Sequence, residues 1–186
     1  MPDAACDPHI QSCCFTGHRH IPSNELSHLT KRLEKAIVRL AREEGCLHFL
    51  AGGALGFDTL AAETVLSLRD KEGSPLPLRL TMLLPCRDQT KHWRAQDIAR
   101  YESVLRRADE VVCLSEHYTR GCMHTRNRAL VDRSHFCLCY LTDATQGGTA
   151  YTVRYAAKSR LSIENLAKSP APIESPEEPQ FSLLID

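Results

Sequence analysis

Residues 46–58, CLHFLAGGALGFD, set a short apolar run directly against a glycine-rich turn. CLHFLA (46–51) reads as a buried strand, because it lacks the alternation of a half-exposed one and is bounded by Gly45 and Gly52. After the turn GGALGFD (52–58), a helix is expected through about Leu68. A similar unit comes before it. Residues 12–15 (SCCF) form an apolar run ending in Thr16-Gly17-His18-Arg19; Leu26, Leu29, Leu33, Ile37 and Leu40 then recur at spacings of three and four, the mark of an amphipathic helix. Ser23 is the predicted N-cap of that helix and Gly45 its stop.

The pattern continues downstream. A surface connection over 69–77 is broken by Gly73, Pro75 and Pro77. Strands are expected at Leu78–Leu84, Glu110–Leu114, Phe136–Leu141 and near Leu161–Asn165, with helices at about His92–Arg107, Gly121–Ser134 and Ala150–Lys158. Strands separated by helical stretches of about ten residues or more pair in parallel through right-handed crossovers. The fold class is therefore α/β: a single doubly wound, mostly parallel sheet with helices on both faces.

At 186 residues the chain suits one domain. The expected division is a flexible lead-in over 1–11, the α/β domain over 12–168 and an acidic, proline-rich tail over 169–186. That tail holds Glu174, Glu177, Glu178 and Asp186 with no Lys or Arg, so the balanced total of 23 basic and 23 acidic residues leaves +4 on residues 1–168. A neutral total argues against a binder of long nucleic acid. The nine cysteines sit mostly in apolar runs behind no secretory signal, which favours free thiols and a cytoplasmic location. No apolar run reaches the roughly 20 residues of a membrane span, so no membrane partner is expected.

Ligands of an open parallel sheet bind beyond the carboxyl ends of the strands, where strand order reverses. Three loops there carry residues suited to cradling phosphate: Thr16-Gly17-His18-Arg19, Gly52-Gly53-Ala54-Leu55-Gly56 and Gly147-Gly148-Thr149. Glycine lets backbone N–H groups approach an anion, and a helix N-terminus behind each loop adds a favourable dipole. A tight strand-to-helix turn also needs glycine for purely structural reasons, so the weight rests on the three together. GGALG lacks the G-x-G-x-x-G spacing and no Gly-Lys-Ser/Thr occurs, which disfavours ordinary dehydrogenase and P-loop readings.

Asp58 reads first as an acid at a helix start and second as an acceptor for a ribose hydroxyl. Arg126-Asn127 lies among Arg120, Arg128 and Arg133, and a charged helix face is commonly just solvated. An Arg beside an Asn at the sheet's carboxyl edge nevertheless offers a fork for phosphate and an amide for sugar or base, which makes Arg126 the leading functional side chain. No metal site is expected, since Cys13-Cys14 and Cys137-x-Cys139 fall in strands and no C-x-x-C occurs. Cys86, after Pro85, is the one thiol in a setting worth following. Trp93 falls with Ile98, Tyr101 and Leu105 at helical spacing and reads as packing.

The ordered set TGHR (16–19), GGALGFDTLAAE (52–63), LPC (84–86), HW (92–93), ARYESVLRRADEVVCLS (99–115), TRNRALVDRSH (125–135) and GGTAYTVRYA (147–156) resembles the YpsA-like family of the SLOG superfamily over about residues 12–166. The resemblance implies a Rossmann-like fold and similarity to the LOG phosphoribohydrolases and the DNA-processing protein DprA. It implies a nucleotide or nucleotide-derived ligand such as ADP-ribose, an NAD derivative or a nucleoside monophosphate, and a homodimer or higher homo-oligomer. LOG enzymes carry an Arg in the helix before a P-G-G-x-G-T-x-x-E loop. Arg126 fits that Arg, but Gln146 replaces the proline, Gly147-Gly148 runs straight into Thr149, and Thr152 stands where the glutamate would be. Without that carboxylate, N-glycosidic hydrolysis lacks its acid/base partner, and binding survives the change better than catalysis.

The leading expectation is thus a nucleotide-binding protein, a sensor among its roles, with no catalytic residue assigned. Phosphates would lie across Thr16, Gly17, Gly52, Gly53, Gly147, Gly148 and Thr149, with His18, Ala54 and Gly56 in the same loops. Arg19 and Arg126 would supply charge, and Asn127 or Asp58 would read sugar or base. One alternative is a LOG-like nucleoside-monophosphate phosphoribohydrolase with Asp58 or Glu63 in place of the missing acid. Another is DprA-like binding of single-stranded DNA through the Arg120–Arg133 segment; the balanced charge and the lack of a basic groove interleaved with aromatics make nucleic acid the least favoured partner.

Overall fold

The structure, a computed structural model, describes residues 11–73, 76–143 and 146–168; the expected tail and residues 1–10 of the lead-in lie outside the described residues. Its elements in chain order are β1 (Gln11–Gly17), α1 (Ser23–Glu43), β2 (Cys46–Ala51), α2 (Phe57–Arg69), β3 (Arg79–Leu84), α3 (Ala95–Arg107), β4 (Glu110–Cys113), α4 (Cys122–Asp132), β5 (Phe136–Tyr140), α5 (Gly147–Lys158) and β6 (Ser162–Asn165). The strands form one six-stranded sheet in the order β4-β3-β2-β1-β5-β6, and every ladder is parallel. The chain starts mid-sheet, runs outward to β4, then returns across the sheet to the other flank of β1. Crossovers of one hand that run in opposite directions deliver their helices to opposite faces. The fold is the Rossmann-like α/β arrangement.

The period of two along each strand fills two cores at once. Cys13 and Phe15 of β1, Phe49 and Ala51 of β2, and Leu80, Met82 and Leu84 of β3 pack with α1, α2 and α3. Cys14, Leu50, Leu83, Cys137 and Cys139 point the other way, against Leu130 and Val131 of α4 and Ala150, Val153 and Ala156 of α5. The eight described cysteines are all free, and seven of them are buried, packing as small apolar groups. Burial pushes the Cys86 thiol up to about 12, so it is no ready nucleophile.

Several element ends differ from the sequence expectation. Ser23 lies inside α1 rather than capping it. Pro22, held in extended backbone by its ring, is the cap residue, and its carbonyl accepts from the Glu25 and Leu26 N–H groups at 2.9 and 3.2 Å. Helix α3 begins at Ala95, not His92, because Trp93 sits in a turn whose N–H donates to the Thr90 carbonyl at 2.9 Å. The Trp93 ring still packs edge-on against Tyr101, with centroids 5.4 Å apart. Strand β1 extends through Gly17, and Gly147-Gly148-Thr149 forms the first turn of α5 rather than a loop ahead of it. Among the described residues no helix is long and apolar enough to cross a membrane.

Candidate functional site

Strand order reverses between β1 and β5. The chain leaves these two neighbours for opposite faces, which opens a crevice beyond their carboxyl ends. A cavity of about 360 Å³ lies there. Its lining comes from the end of β1 (Phe15, Thr16, Gly17) with His18 and Arg19, from the β2–α2 region (Ala54, Asp58), from α4 (Met123, Arg126, Asn127) and from the first turn of α5 (Gly148, Thr149). Of the residues expected to bind the ligand, Gly52, Gly53, Gly56 and Gly147 are outside this lining; the others line it.

The loop after β1 is fixed by backbone bonds. His18 donates its N–H to the Tyr140 carbonyl at 3.3 Å and accepts from the Phe57 N–H at 3.1 Å, while its Nε2 accepts from the Thr142 N–H at 3.0 Å. The ring is therefore committed to holding the β1 and β5 loops together. Arg19, next in sequence, is exposed and makes no hydrogen bond among the described residues. Gly56 forms the other side of this corner with φ +80°, and a Cβ there would lie 2.2 Å from the Arg19 carbonyl oxygen. Only glycine permits both the left-handed backbone and the close approach.

Arg126 is 5% exposed, as is Asp58. Its Nη1 donates to the Gly52 carbonyl and lies 3.6 Å from Asp58 Oδ2, and its Nε donates to Asn127 Oδ1 at 2.8 Å. A Cβ on Gly52 would fall 1.8 Å from Nη1, so glycine is needed here to admit the guanidinium. Two ends of the fork are thus structural. Nη2 donates to the Met123 sulfur at 4.0 Å and has no oxygen partner among the described residues.

Burial dominates the titration of this pair. It holds Asp58 above the usual carboxylate range, an effect that the charge of Arg126, the Ala54 and Gly52 N–H groups and the charge of Arg19 only partly offset. Burial likewise lowers Arg126, opposed by Asp58 and reinforced by the like charge of Arg19.

Asn127 is aimed by Thr152, which is 1% exposed. Asn127 Nδ2 donates to Thr152 Oγ1 at 2.8 Å, and that hydroxyl donates to the Gly148 carbonyl at 2.7 Å. Sequence reasoning noted Thr152 only as a missing glutamate, although its spacing of four from Gly148 places both on one helix face. Met123, three residues before Arg126 on the same face, was missed for want of any polar signal. Glu63 lines no part of the cavity; it pairs with Arg100 between α2 and α3. Among the described residues no group of three or more His, Cys, Asp or Glu side chains gathers as metal ligands.

Comparison with known proteins gives a consistent picture. A UPF0398 protein of Shouchella clausii is 30% identical over 138 residues, covering 72% of this chain and 71% of that one. The uncharacterized SPbeta prophage-derived protein YoqJ of Bacillus subtilis is 27% identical, covering 72% and 82%. Among solved structures, DNA processing protein A of Helicobacter pylori, described by its single-stranded DNA binding mode, superposes with a TM-score of 0.58 at 20% identity over 82% of this chain. The same protein of Streptococcus pneumoniae gives 0.58 at 16% identity over 83%. The chain spans 63% and 49% of those two proteins, so the likeness is one of fold. The family model YpsA, described as the YspA SLOG family, matches residues 14–167. The chain belongs to that family.

Proposed function

We propose that the chain binds the phosphate-bearing end of a nucleotide-type ligand in the cavity between β1 and β5. The observation that carries this reading is the Nη2 of buried Arg126, bonded only to the Met123 sulfur among the described residues, in a cavity lined by Thr16, Gly17 and the first turn of α5. A helix start and a guanidinium are complementary to phosphate. The volume of about 360 Å³ lies within the range of small-molecule sites. Asn127, oriented by Thr152, and Thr16 line the same cavity and would read sugar or base. Binding without turnover suits a cytoplasmic sensor, and self-association, checked by light scattering, belongs to the same reading.

Titration calorimetry against AMP, ADP, ADP-ribose, NAD and cyclic nucleotides tests the proposal. Arg19→Ala is the informative variant, since Arg19 is exposed and replacing Arg126 would also break the buried pair. A loss of about tenfold is expected for one charged hydrogen-bond donor. Absence of wild-type binding to all of these ligands would sink the idea.

One observation favours a second reading, hydrolysis of a nucleoside monophosphate at the same cavity. Asp58 lines it beside Arg126, and burial raises its carboxyl from the ordinary value, the direction that suits a proton donor to a departing base. Release of free base from AMP would support this reading, and none at high protein concentration would remove it. Single-stranded DNA is less well supported, because the arginines of the Arg120–Arg133 segment do not all face solvent. Arg126 faces inward while Arg128 lies over the Tyr151 and Tyr155 rings at 5.9 and 5.7 Å. Anisotropy of a labelled single strand is expected to stay flat even at low salt.

A further inference from the structure

Beside the candidate cavity lies a second compartment of about 370 Å³, bounded by the loop after β1, Leu26 of α1, the start of α2, and Arg94, Asp97 and Arg100 at the start of α3. We infer that this compartment is the docking site of the chain's own acidic segment, residues 169–186, whose glutamates pair with Arg19 and Arg94 in its lining. The inference goes beyond the reading above and stands whether or not the cavity takes a nucleotide.

The last described residues lead to this compartment. Arg32 Nε donates to the Leu166 carbonyl at 2.8 Å, and the Lys168 N–H donates to the Glu25 carboxylate, which Arg32 also holds at 2.8 Å. Glu25 and Arg32 both belong to α1, and Leu26, the residue after Glu25, lines the compartment. The segment therefore starts beside its site. Six residues of chain, at most about 20 Å, carry from Lys168 to Glu174, the first acid of the segment.

The chemistry is complementary. Arg19 and Arg94 are exposed, and neither side chain has a hydrogen bond or ion pair among the described residues. Arg100 is neutralised by Glu63, and Asp97 is the one acid in the lining, so the compartment keeps a positive excess. Segment 169–186 holds Glu174, Glu177, Glu178 and Asp186 with no Lys or Arg. Exposed ion pairs alone hold weakly. Leu26, 43% exposed, adds an apolar contact beside Ile21 and Leu60, and Ile173, next to Glu174, is the side chain to cover it. A tether this short also presents the segment at an effective concentration on the order of millimolar, where weak contacts suffice. The smaller groove of about 260 Å³ between α1 and β6 is a poorer fit, because its Arg32 and Arg39 are already paired with Glu25 and Glu164. Arg19 lines the neighbouring cavity too, so a glutamate seated on it lowers the positive charge offered to any anion there.

Two measurements on the full chain test the inference. Zero-length carbodiimide coupling of Arg94→Lys, mapped by mass spectrometry, is expected to join the introduced amine to Glu174, Glu177 or Glu178 within one chain, with a yield that falls at least about threefold in 0.5 M salt. A glutamate-specific protease should cut after Glu174 and Glu177 at least about threefold faster in Arg19→Glu/Arg94→Glu than in the unaltered chain, since both pairings become repulsive. Both arginines are exposed, and melting curves check the fold of each variant. Equal cleavage rates, no coupling at the introduced amine, coupling of the segment to Lys35 alone, or coupling between two chains instead of within one would each overturn the inference.

Discussion

Gly52→Ala is the most discriminating single change, because sequence and structure give Gly52 different duties. If the residue were glycine only so that a phosphate could approach the backbone, alanine would weaken ligand binding and leave the unliganded protein untouched. In the structure the new Cβ would fall 1.8 Å from Arg126 Nη1, 2.5 Å from Cζ and 2.9 Å from Nε. To reach ordinary van der Waals contact at 3.4 Å, Nη1 must retreat by 1.6 Å, which breaks its bond to the Gly52 carbonyl and carries it away from Asp58. The site is 5% exposed on both partners, so water cannot replace what is lost. Breaking a buried pair costs about 3–5 kcal/mol, and at about 2–4 °C per kcal/mol for a domain of this size the melting temperature should fall by roughly 6–20 °C. Differential scanning calorimetry without ligand measures this. A companion cycle sharpens it: in an Arg126→Met background the new methyl meets no guanidinium, so Gly52→Ala should cost far less, a coupling of about 2 kcal/mol or more. An unliganded variant melting within about 2 °C of wild type would refute the packing argument.

Three further outcomes are expected. Thr152→Val keeps the side-chain shape but leaves the Asn127 amide and the Gly148 carbonyl without their hydroxyl, which should cost about 1–3 kcal/mol by chemical denaturation and loosen Asn127. Burial, assisted by Arg79, holds the His48 imidazole below its ordinary 6.5, so the unfolded chain takes up a proton that the folded chain resists. That contribution is intact above 6.5 and lost as pH falls below it, so wild-type melting should drop on acidification through this window and the drop should shrink in His48→Gln. Burial pushes Cys46, Cys86 and Cys139 up to about 12, so a disulfide-exchange reagent at about pH 8 should modify them only after urea unfolding. Rapid modification of any of the three in the native protein would contradict their packing.

The fold was legible because its signals are periodic. Strand runs such as CLHFLA and the three-and-four spacing of Leu29, Leu33, Ile37 and Leu40 survive without tertiary information. The cavity was legible in outline, since loops after strands in a parallel sheet must converge at the strand-order reversal. What could not be read was which way each polar group faces. Arg126 was expected to offer a fork for phosphate, yet two of its three nitrogens hold the protein itself. Gly52 was expected to admit an anion, and in the structure it admits that arginine. Both depend on a contact 74 residues apart in sequence, which no local pattern encodes.

Thr152 decides how far the site can be a catalyst. In the LOG-type pattern its position carries a glutamate. Here the hydroxyl donates to the Gly148 carbonyl one turn back and accepts from Asn127, leaving Asn127 Oδ1 turned toward Arg126 Nε. A carboxylate could accept from Asn127 but could not donate to Gly148. It would also bring a second buried acid into a site where burial already outweighs Arg126 and holds the Asp58 carboxyl high. The chain has a fixed dipole where a proton-transfer group would stand, and that dipole steadies an amide and, through it, a guanidinium that line the cavity. Chemistry at this cavity would have to run through Asp58, which is tied up with Arg126. If the cavity takes a nucleotide as proposed, this arrangement suits holding it better than cleaving it.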